Sequence, residues 1–413
     1  MVGNLGRAPR AHIIVQNLPV PFDRRVWLEC QSLTSAGYEV SVVCPKGPGD
    51  PACEVVDSVT IYKYNPPKTG SGKAAFLREY VHSFAATAWL TARAWRRHRF
   101  DVLQACNPPD IFWPIALVLR LFGVRFVFDH HDLCPELYES KFGTRRSPFY
   151  RGLRVLEWCT FRVADQVTST NDSYRAIAID RGGKRPGDVT VVRTGPDPNR
   201  LRAGEPNPAL RRGREHLAVY LGVMGPQDGV DLAVRAAGLV VHRLGRTDIS
   251  FTFIGGGESY DDVVTLVREL ELDEYVSMPG RLPDAEVAAL LSSADVGLCP
   301  DPKNPLNDVS TMNKTMEYMA FGLPVVAFDL WETRVSAADA AVYAKPNEVA
   351  DYCRLLLQVV DDAPLRAEMG ARGRRRVVDS LAWSHQAERF VGVYDGLVGR
   401  PSRATGVAIT VAG

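Results

Sequence analysis

A lysine and a glutamate lie close together near the start of a short predicted helix in the second half of the chain. The pattern predicts a helix from about Met312 to Phe321, a glycine cap at Gly322 and a buried strand after Pro324. The first turn of a helix has unpaired N–H groups and a partial positive charge, so it can bind a phosphate. Lys314 lies in that turn, where its charge opposes the helix dipole, and a bound anion would remove the conflict. Glu317 follows on a face that can look toward the same ligand, although both side chains could equally be solvated.

Polar residues also follow a predicted strand in the first half of the chain. The strand from Val124 to Asp129 leads directly into His130, His131 and Asp132. In an open α/β sheet, ligands bind at the carboxyl ends of parallel strands. Adjacent histidines point apart and cannot chelate one metal ion together, so we expect a ligand site without a metal.

Strand and helix patterns alternate along most of the chain, which predicts the α/β class. With 413 residues and 46% hydrophobic content, the chain is long enough for two domains with full cores. No signal peptide is visible and no apolar run reaches about 18 residues, so we expect a cytoplasmic protein. The eight cysteines are scattered singly, which indicates reduced thiols and neither a disulfide framework nor a zinc site.

The net charge is +1, but the first half of the chain is basic and the second half acidic. A predicted helix over residues 72–98 ends in four arginines, which favours either an ordinary packed helix or contact with a membrane surface. A peripheral contact with the inner face of the membrane through the basic half is therefore an open alternative. Arg24 and Arg25 begin an earlier helix, and we expect them to be solvated, with an acceptor phosphate as the alternative ligand.

Two segments resemble the retaining, nucleotide-sugar-dependent glycosyltransferases of family 4, and more closely their bacterial polysaccharide subgroup. The run from Glu317 to Val326, EYMAFGLPVV, matches the second of the family's two glutamates and the tail that follows it. The first glutamate would fall on Val309, and Asp308 is the nearest carboxylate. The run from His131 to Glu136 is similar to the subgroup's HDxxPE element. The resemblance covers roughly residues 11–398.

The family's phosphate loop is matched only in part. Gly222 and Gly229 stand where its glycines are, but the usual Arg and Lys are replaced, the latter by Gln227 or Asp228. Loop N–H groups could stabilise part of a diphosphate's charge, and we expect Lys314 to supply the missing cation.

The resemblance implies the GT-B fold, two Rossmann-like domains facing across a cleft. The predicted boundaries are 1–197 for the acceptor domain, 198–382 for the donor domain, a helix at about 383–398 that packs back onto the first domain, and a tail over 399–413. It also implies roles for single residues. We expect catalytic roles for His131 and Lys314, donor binding by Gly222, Gly225, Gln227, Gly229, Gly256, Arg281, Asp308, Met312, Asn313 and Glu317, and acceptor-side positions for Asn17, Arg24, Glu136 and Tyr138. Within that set Glu317 would hold the ribose, Arg281 would stack on uracil, and His131 would position the sugar without acting as a base.

The implied activity is retaining transfer of a hexosyl or N-acetylhexosaminyl group from a nucleotide sugar, with UDP as the expected nucleotide, to an acceptor. A saccharide or lipid-linked saccharide is the expected acceptor. The nucleotide sugar is a co-substrate, and we expect no further cofactor, no metal and no nucleic acid partner. Two alternatives remain open at this point: a UDP-N-acetylsugar 2-epimerase of the same architecture, and a non-catalytic partner subunit.

Overall fold

This computed structural model describes residues 7–66, 73–197 and 203–401. The chain divides into two compact units, one of Met1–Thr194 with Ser384–Gly413 and the other of Gly195–Trp383. The boundaries predicted from the sequence fall after residues 197 and 382. Most of the predicted tail over 399–413 lies outside the described residues.

The first unit is built on an eight-stranded sheet. Its strands are β1 (Arg10–Ile14), β2 (Glu39–Pro45), β3 (Cys53–Val56), β4 (Val59–Tyr64), β5 (Val102–Cys106), β6 (Arg125–His130), β7 (Gln166–Ser169) and β8 (Val189–Val191). Their order across the sheet is β3-β4-β2-β1-β5-β6-β7-β8, and every pairing is parallel except that of β3 with β4. This antiparallel hairpin turns at Asp57 and Ser58, both with positive φ. Sequence reasoning missed it, because the turn contains no glycine to mark it.

In the described part of this unit, six helices connect these strands. They are α1 (Arg24–Ser35), α2 (Lys73–His98), α3 (Trp113–Arg120), α4 (Cys134–Phe142), α5 (Pro148–Val163) and α6 (Asp172–Asp180). The start of α1 is fixed by Asp23, whose side chain accepts a hydrogen bond from the Val26 N–H at 3.1 Å. This cap fixes the first turn of α1, which contains Arg24 and Arg25.

The second unit contains a six-stranded, wholly parallel sheet. Its strands are β9 (His216–Val223), β10 (Ile249–Gly256), β11 (Val276–Gly280), β12 (Val296–Cys299), β13 (Val325–Phe328) and β14 (Ala341–Ala344). Its helices are α7 (Val230–Gly238), α8 (Tyr260–Glu269), α9 (Asp284–Ser293), α10 (Asn313–Ala320), α11 (Trp331–Ala337), α12 (Val349–Asp361) and α13 (Ala363–Arg376). The strand order is β11-β10-β9-β12-β13-β14, so the direction of winding reverses between β9 and β12. Such a reversal opens a crevice beyond the carboxyl ends of those two strands.

The last helix, α14 (Trp383–Val398), belongs to the first unit although it follows the second in sequence, as predicted. Its Tyr394 hydroxyl donates to Gln104 Oε1 at 2.5 Å, and Asp395 Oδ1 accepts a hydrogen bond from the Tyr38 hydroxyl at 2.7 Å. The helix therefore contributes buried polar partners to the first sheet.

Among the described helices, none combines the length and the apolar character needed to cross a bilayer. All eight cysteines are free, and Cys53 is exposed.

Candidate functional site

Glycines at the carboxyl ends of β9 and β10 let two loops of the second unit pack backbone against backbone. Gly255 pairs with Gly222, and a Cβ on Gly255 would lie 1.8 Å from the Gly222 carbonyl oxygen. Gly229 has a φ of +63°, and a Cβ there would lie 2.3 Å from the Pro300 carbonyl oxygen. Side chains are excluded at these positions, so backbone groups of the 222–229 loop form this edge of the sheet.

Helix α10 begins beside this loop. Its cap is Met312, which makes no side-chain hydrogen bond to the helix, and Asn313 is exposed. Because the side chain of the cap residue makes no hydrogen bond to the helix, the first turn can offer N–H groups to an anionic ligand.

Lys314 is buried rather than solvated at the helix start. Its Nζ lies 2.6 Å from Asp301 Oδ1 and 5.2 Å from the centre of the Tyr220 ring. Burial alone would lower the pKa of Lys314, but Asp301 and Tyr220 outweigh it and raise that pKa well above its usual range. The interpretation of Lys314 as an unpaired cation that destabilises the helix is therefore wrong, because a buried carboxylate neutralises it.

Asp301 is the residue of this site that sequence reasoning missed. It is 1% exposed, and its other oxygen accepts a hydrogen bond from the Cys299 thiol at 3.1 Å. The available signal was its position two residues beyond β12, at the strand end where the winding reverses.

The other expected donor-site residues lie in different local surroundings. Asn307 Nδ2 donates to the Gln227 carbonyl oxygen at 2.8 Å, which joins the segment before α10 to the 222–229 loop. The Arg281 side chain lies against Gly256, with its Nε 3.7 Å from the position of a Cβ there.

Asp308 has a structural role instead, since its Oδ1 accepts from the Trp331 N–H at 2.9 Å at the start of α11. Gly225 donates its N–H to the Asp228 side chain within the loop, and Glu317 is half-buried on α10.

In the first unit, the carboxylate of Asp129 organises the end of β6. Arg25 contacts both of its oxygens, with Nε 3.0 Å from Oδ2 and Nη2 2.7 Å from Oδ1. Oδ2 also lies 2.8 Å from His131 Nδ1, and Oδ1 accepts from the Thr168 hydroxyl at 2.8 Å. The expectation that Arg25 is solvated is wrong: its side chain is 6% exposed. Arg24, by contrast, is exposed as expected.

The two adjacent histidines differ in charge at neutral pH. Burial opposes protonation of His131, but the Asp129 carboxylate outweighs it and raises the pKa of His131 to about 9. Burial lowers the pKa of His130 to about 3, and its ring packs among Phe128, Phe161 and Tyr174. At neutral pH, His131 is therefore a cation that donates hydrogen bonds, and His130 is a neutral core residue.

A second carboxylate extends the Asp129 network into the core. Glu29 lies 3.1 Å from Arg25 Nε and accepts from Gln104 Nε2 at 2.7 Å. Burial, followed by the nearby Asp129 charge, raises the pKa of Glu29 to about 8. Glu29, Cys106 and Asp129 are close enough together to suggest a metal site. The guanidinium of Arg25 already contacts both carboxylates, so it supplies there the positive charge that a metal ion would supply.

The expected acceptor-side residues lie in different surroundings. Asn17 is exposed in the loop after β1. Glu136 forms an ion pair with Arg181, which also pairs with the buried Glu157. The Tyr138 hydroxyl accepts a hydrogen bond from Ser147 at 3.2 Å. Glu136 and Tyr138 thus have partners that join α4 to α6 and to the start of α5.

We predict that His131 remains protonated through neutral pH while His130 does not protonate above pH 5. The cause is Asp129, which raises the pKa of His131 from 6.5 to about 9. The resulting stabilisation is fully present below pH 6.5 and is lost as the pH rises through about 9. NMR titration of ¹³C-labelled histidine rings would measure both residues, with His130 as the internal control. An Asp129→Asn variant should return the His131 pKa to 6.5 or below, and a wild-type pKa near 6.5 would contradict the assignment.

We predict that Lys314→Met lowers the melting temperature. The change leaves the buried Asp301 carboxylate without its cation, at a cost of about 3–5 kcal/mol in the free energy of unfolding. Lys303→Met is the matched control, because Lys303 is exposed and pairs at 3.2 Å with a partly exposed Asp308. Adding Asp301→Asn to Lys314→Met should recover much of the loss. Equal melting temperatures for Lys314→Met and Lys303→Met would disprove a structural role for the buried pair.

Comparison with known proteins agrees with this architecture. Residues 23–200 match the model of Glycosyltransferase Family 4, and residues 215–362 match that of Glycosyl transferases group 1. The chain is 26% identical over 332 residues to 2-deoxystreptamine glucosyltransferase of Streptomyces kanamyceticus, covering 76% of this chain and 83% of that protein. It is 28% identical over 273 residues to D-inositol 3-phosphate glycosyltransferase of Kineococcus radiotolerans, covering 60% and 61% of the two chains.

Solved structures share the fold at low sequence identity. Sucrose-phosphate synthase from Thermosynechococcus elongatus superposes with a TM-score of 0.74 at 16% identity, covering 95% of this chain and 100% of the other. Anabaena HepE in complex with UDP-glucose superposes with a TM-score of 0.69 at 14% identity, covering 94% and 99%. The chain therefore belongs to the GT-B glycosyltransferases, with a family 4 domain in its first unit and a group 1 domain in its second.

Proposed function

We propose that this glycosyltransferase transfers a sugar, with retention of configuration, from a UDP-linked donor to a saccharide or lipid-linked saccharide. The observation that carries the donor assignment is the start of α10, which has no side-chain cap and lies beside the backbone edge formed by Gly222. HepE has been solved with UDP-glucose. An E. coli protein described as trehalose-6-phosphate has been solved with UDP-2-fluoro glucose and superposes with a TM-score of 0.70.

Backbone groups carry most of the proposed diphosphate binding. The N–H groups of residues 312–314, beside the backbone edge of the 222–229 loop, would stabilise the charge that develops on the leaving group. The Lys314 ammonium has three N–H donors, and Asp301 accepts only one hydrogen bond from it. The Lys314–Asp301 pair adds no net charge, so its contribution is a directed hydrogen bond.

Two further residues complete the proposed donor site. Glu317, one turn along α10, would accept hydrogen bonds from the ribose hydroxyls. Arg281 beside Gly256 would stack on the uracil base through its planar guanidinium. Neither role requires a metal ion.

For the first unit, we assign His131 to the sugar at the reacting centre. A histidine with a pKa of about 9 cannot act as a general base at neutral pH, but it can donate a charged hydrogen bond. Retention would then proceed by attack of the acceptor on the face from which the diphosphate leaves, through an ion-pair-like transition state. The leaving diphosphate would accept the acceptor's proton.

We predict that Glu317→Gln weakens UDP binding by about 1–3 kcal/mol, because an amide replaces the charged acceptor of the ribose hydroxyls. Isothermal titration calorimetry with UDP measures the loss directly. Glu269→Gln, an exposed position on α8 of the same unit, is the control and should bind UDP as the wild type does.

Product analysis with the wild-type protein tests the reaction. Wild-type protein given UDP-, GDP- and dTDP-sugars with saccharide acceptors should consume the UDP-linked donor and form an α-linked product from an α-linked donor. Release of a free 2-epimer would identify an epimerase. Unchanged UDP affinity in Glu317→Gln would refute the ribose assignment.

A further inference from the structure

Three helices of the first unit form a continuous layer on one side of its sheet. Helices α2, α3 and α5 contribute to the same buried core. The rings of Trp95 on α2 and Phe122 after α3 are 4.7 Å apart. Arg120 at the end of α3 donates to the carbonyl oxygen of Val163 at the end of α5, at 3.3 Å. The outward surfaces of the three helices therefore adjoin.

Large apolar side chains point outward from this layer. Among the large apolar residues that are more than half exposed on these helices and just after α3, six lie beyond the first turns of α2: Trp89, Val118, Leu121, Phe122, Val155 and Trp158. We refer to these six residues as the outer apolar face. A large exposed apolar surface is uncommon on proteins that have no partner for it.

The exposed charges on the helices around the outer apolar face are basic, while Asp165 at their edge pairs with Arg120 and Arg125. Residues 80–98, 113–125 and 148–163 contain a single acidic residue, Glu157, which is buried. The same segments expose Arg93, Arg96, Arg97, Arg151 and Arg162 among other arginines. Arg93 lies over the Trp89 ring at 5.7 Å, and Arg162 over the Trp158 ring at 5.8 Å.

We propose that the outer apolar face docks this protein on the surface of an anionic phospholipid bilayer. Trp and Phe side chains partition into the interfacial region of a bilayer, and arginines beside them pair with lipid phosphates. A second copy of the chain fits the face poorly, because two-fold pairing would bring arginines against arginines. The contact is peripheral, and it follows from these surface residues independently of the proposed reaction.

Vesicle sedimentation of the full chain tests the proposal. The protein should bind vesicles of phosphatidylcholine and phosphatidylglycerol in a 3:1 ratio, and bind pure phosphatidylcholine vesicles much more weakly. Trp89→Ser should weaken binding to the anionic vesicles about tenfold. Trp331→Ser is the matched control, since both tryptophans are 62% exposed and Trp331 lies in the second unit.

A charge test accompanies the tryptophan test. Arg151→Gln with Arg162→Gln should weaken binding by about fivefold for each charge removed, because one arginine near an anionic surface contributes about 1 kcal/mol. Arg235→Gln with Arg354→Gln, two exposed positions in the second unit, should leave binding unchanged. Binding that is equal on both kinds of vesicle, or equally weakened by the two tryptophan changes, would overturn the proposal. Failure to bind vesicles, with a dimer in light scattering that Trp89→Ser dissociates, would assign the face to a second copy.

Discussion

The arrangement of the first unit depends on one buried ion pair, that between Arg25 and Asp129. Both oxygens of Asp129 contact the guanidinium, and one of them also holds His131. A carboxylate buried in this way is stable only while its cation and hydrogen-bond donors are present. Helix α1 supplies the arginine, β6 the carboxylate and β7 the Thr168 hydroxyl. The pair thus joins three elements before it contributes anything to chemistry, and the protonated state of His131 is a consequence of it.

The second unit has a similar buried ion pair at the carboxyl end of its own sheet. Lys314 and Asp301 come from α10 and from the segment after β12, and they neutralise each other beneath the loop that begins at Gly222. In both units a buried carboxylate just beyond or at the end of a parallel strand fixes the position of a cationic group. The two sites differ in the groups that they offer to a ligand: a charged imidazole in the first unit, and backbone N–H groups with a lysine ammonium in the second. In the proposed donor site, an anion would be bound mainly through oriented dipoles, which need no rearrangement when charge develops on the ligand.

Much of the fold could be predicted from the sequence, because strand and helix periodicities and cap residues such as Gly322 are local signals. The expected functional segments also followed strand ends, which locates them in any open α/β sheet. Partners distant in sequence could not be predicted in this way. Arg25 and Asp129 are 104 residues apart, so the sequence of α1 contains no sign that its arginine is buried. Lys314 was misjudged for the same reason, since Asp301 looks like one more polar loop residue until β12 and α10 are packed together.

The position of α14 in the sequence determines when the first unit can be completed during synthesis. The first unit ends its continuous stretch at Thr194, yet Tyr394 provides the hydroxyl that binds Gln104, which in turn binds Glu29 beside Arg25. During synthesis, the whole of the second unit emerges from the ribosome before this hydroxyl is available. The nascent first unit therefore carries a gap over its buried polar network while the second unit folds. Synthesis of α14 completes it, so truncation within α14 would damage the half of the molecule that was synthesised first.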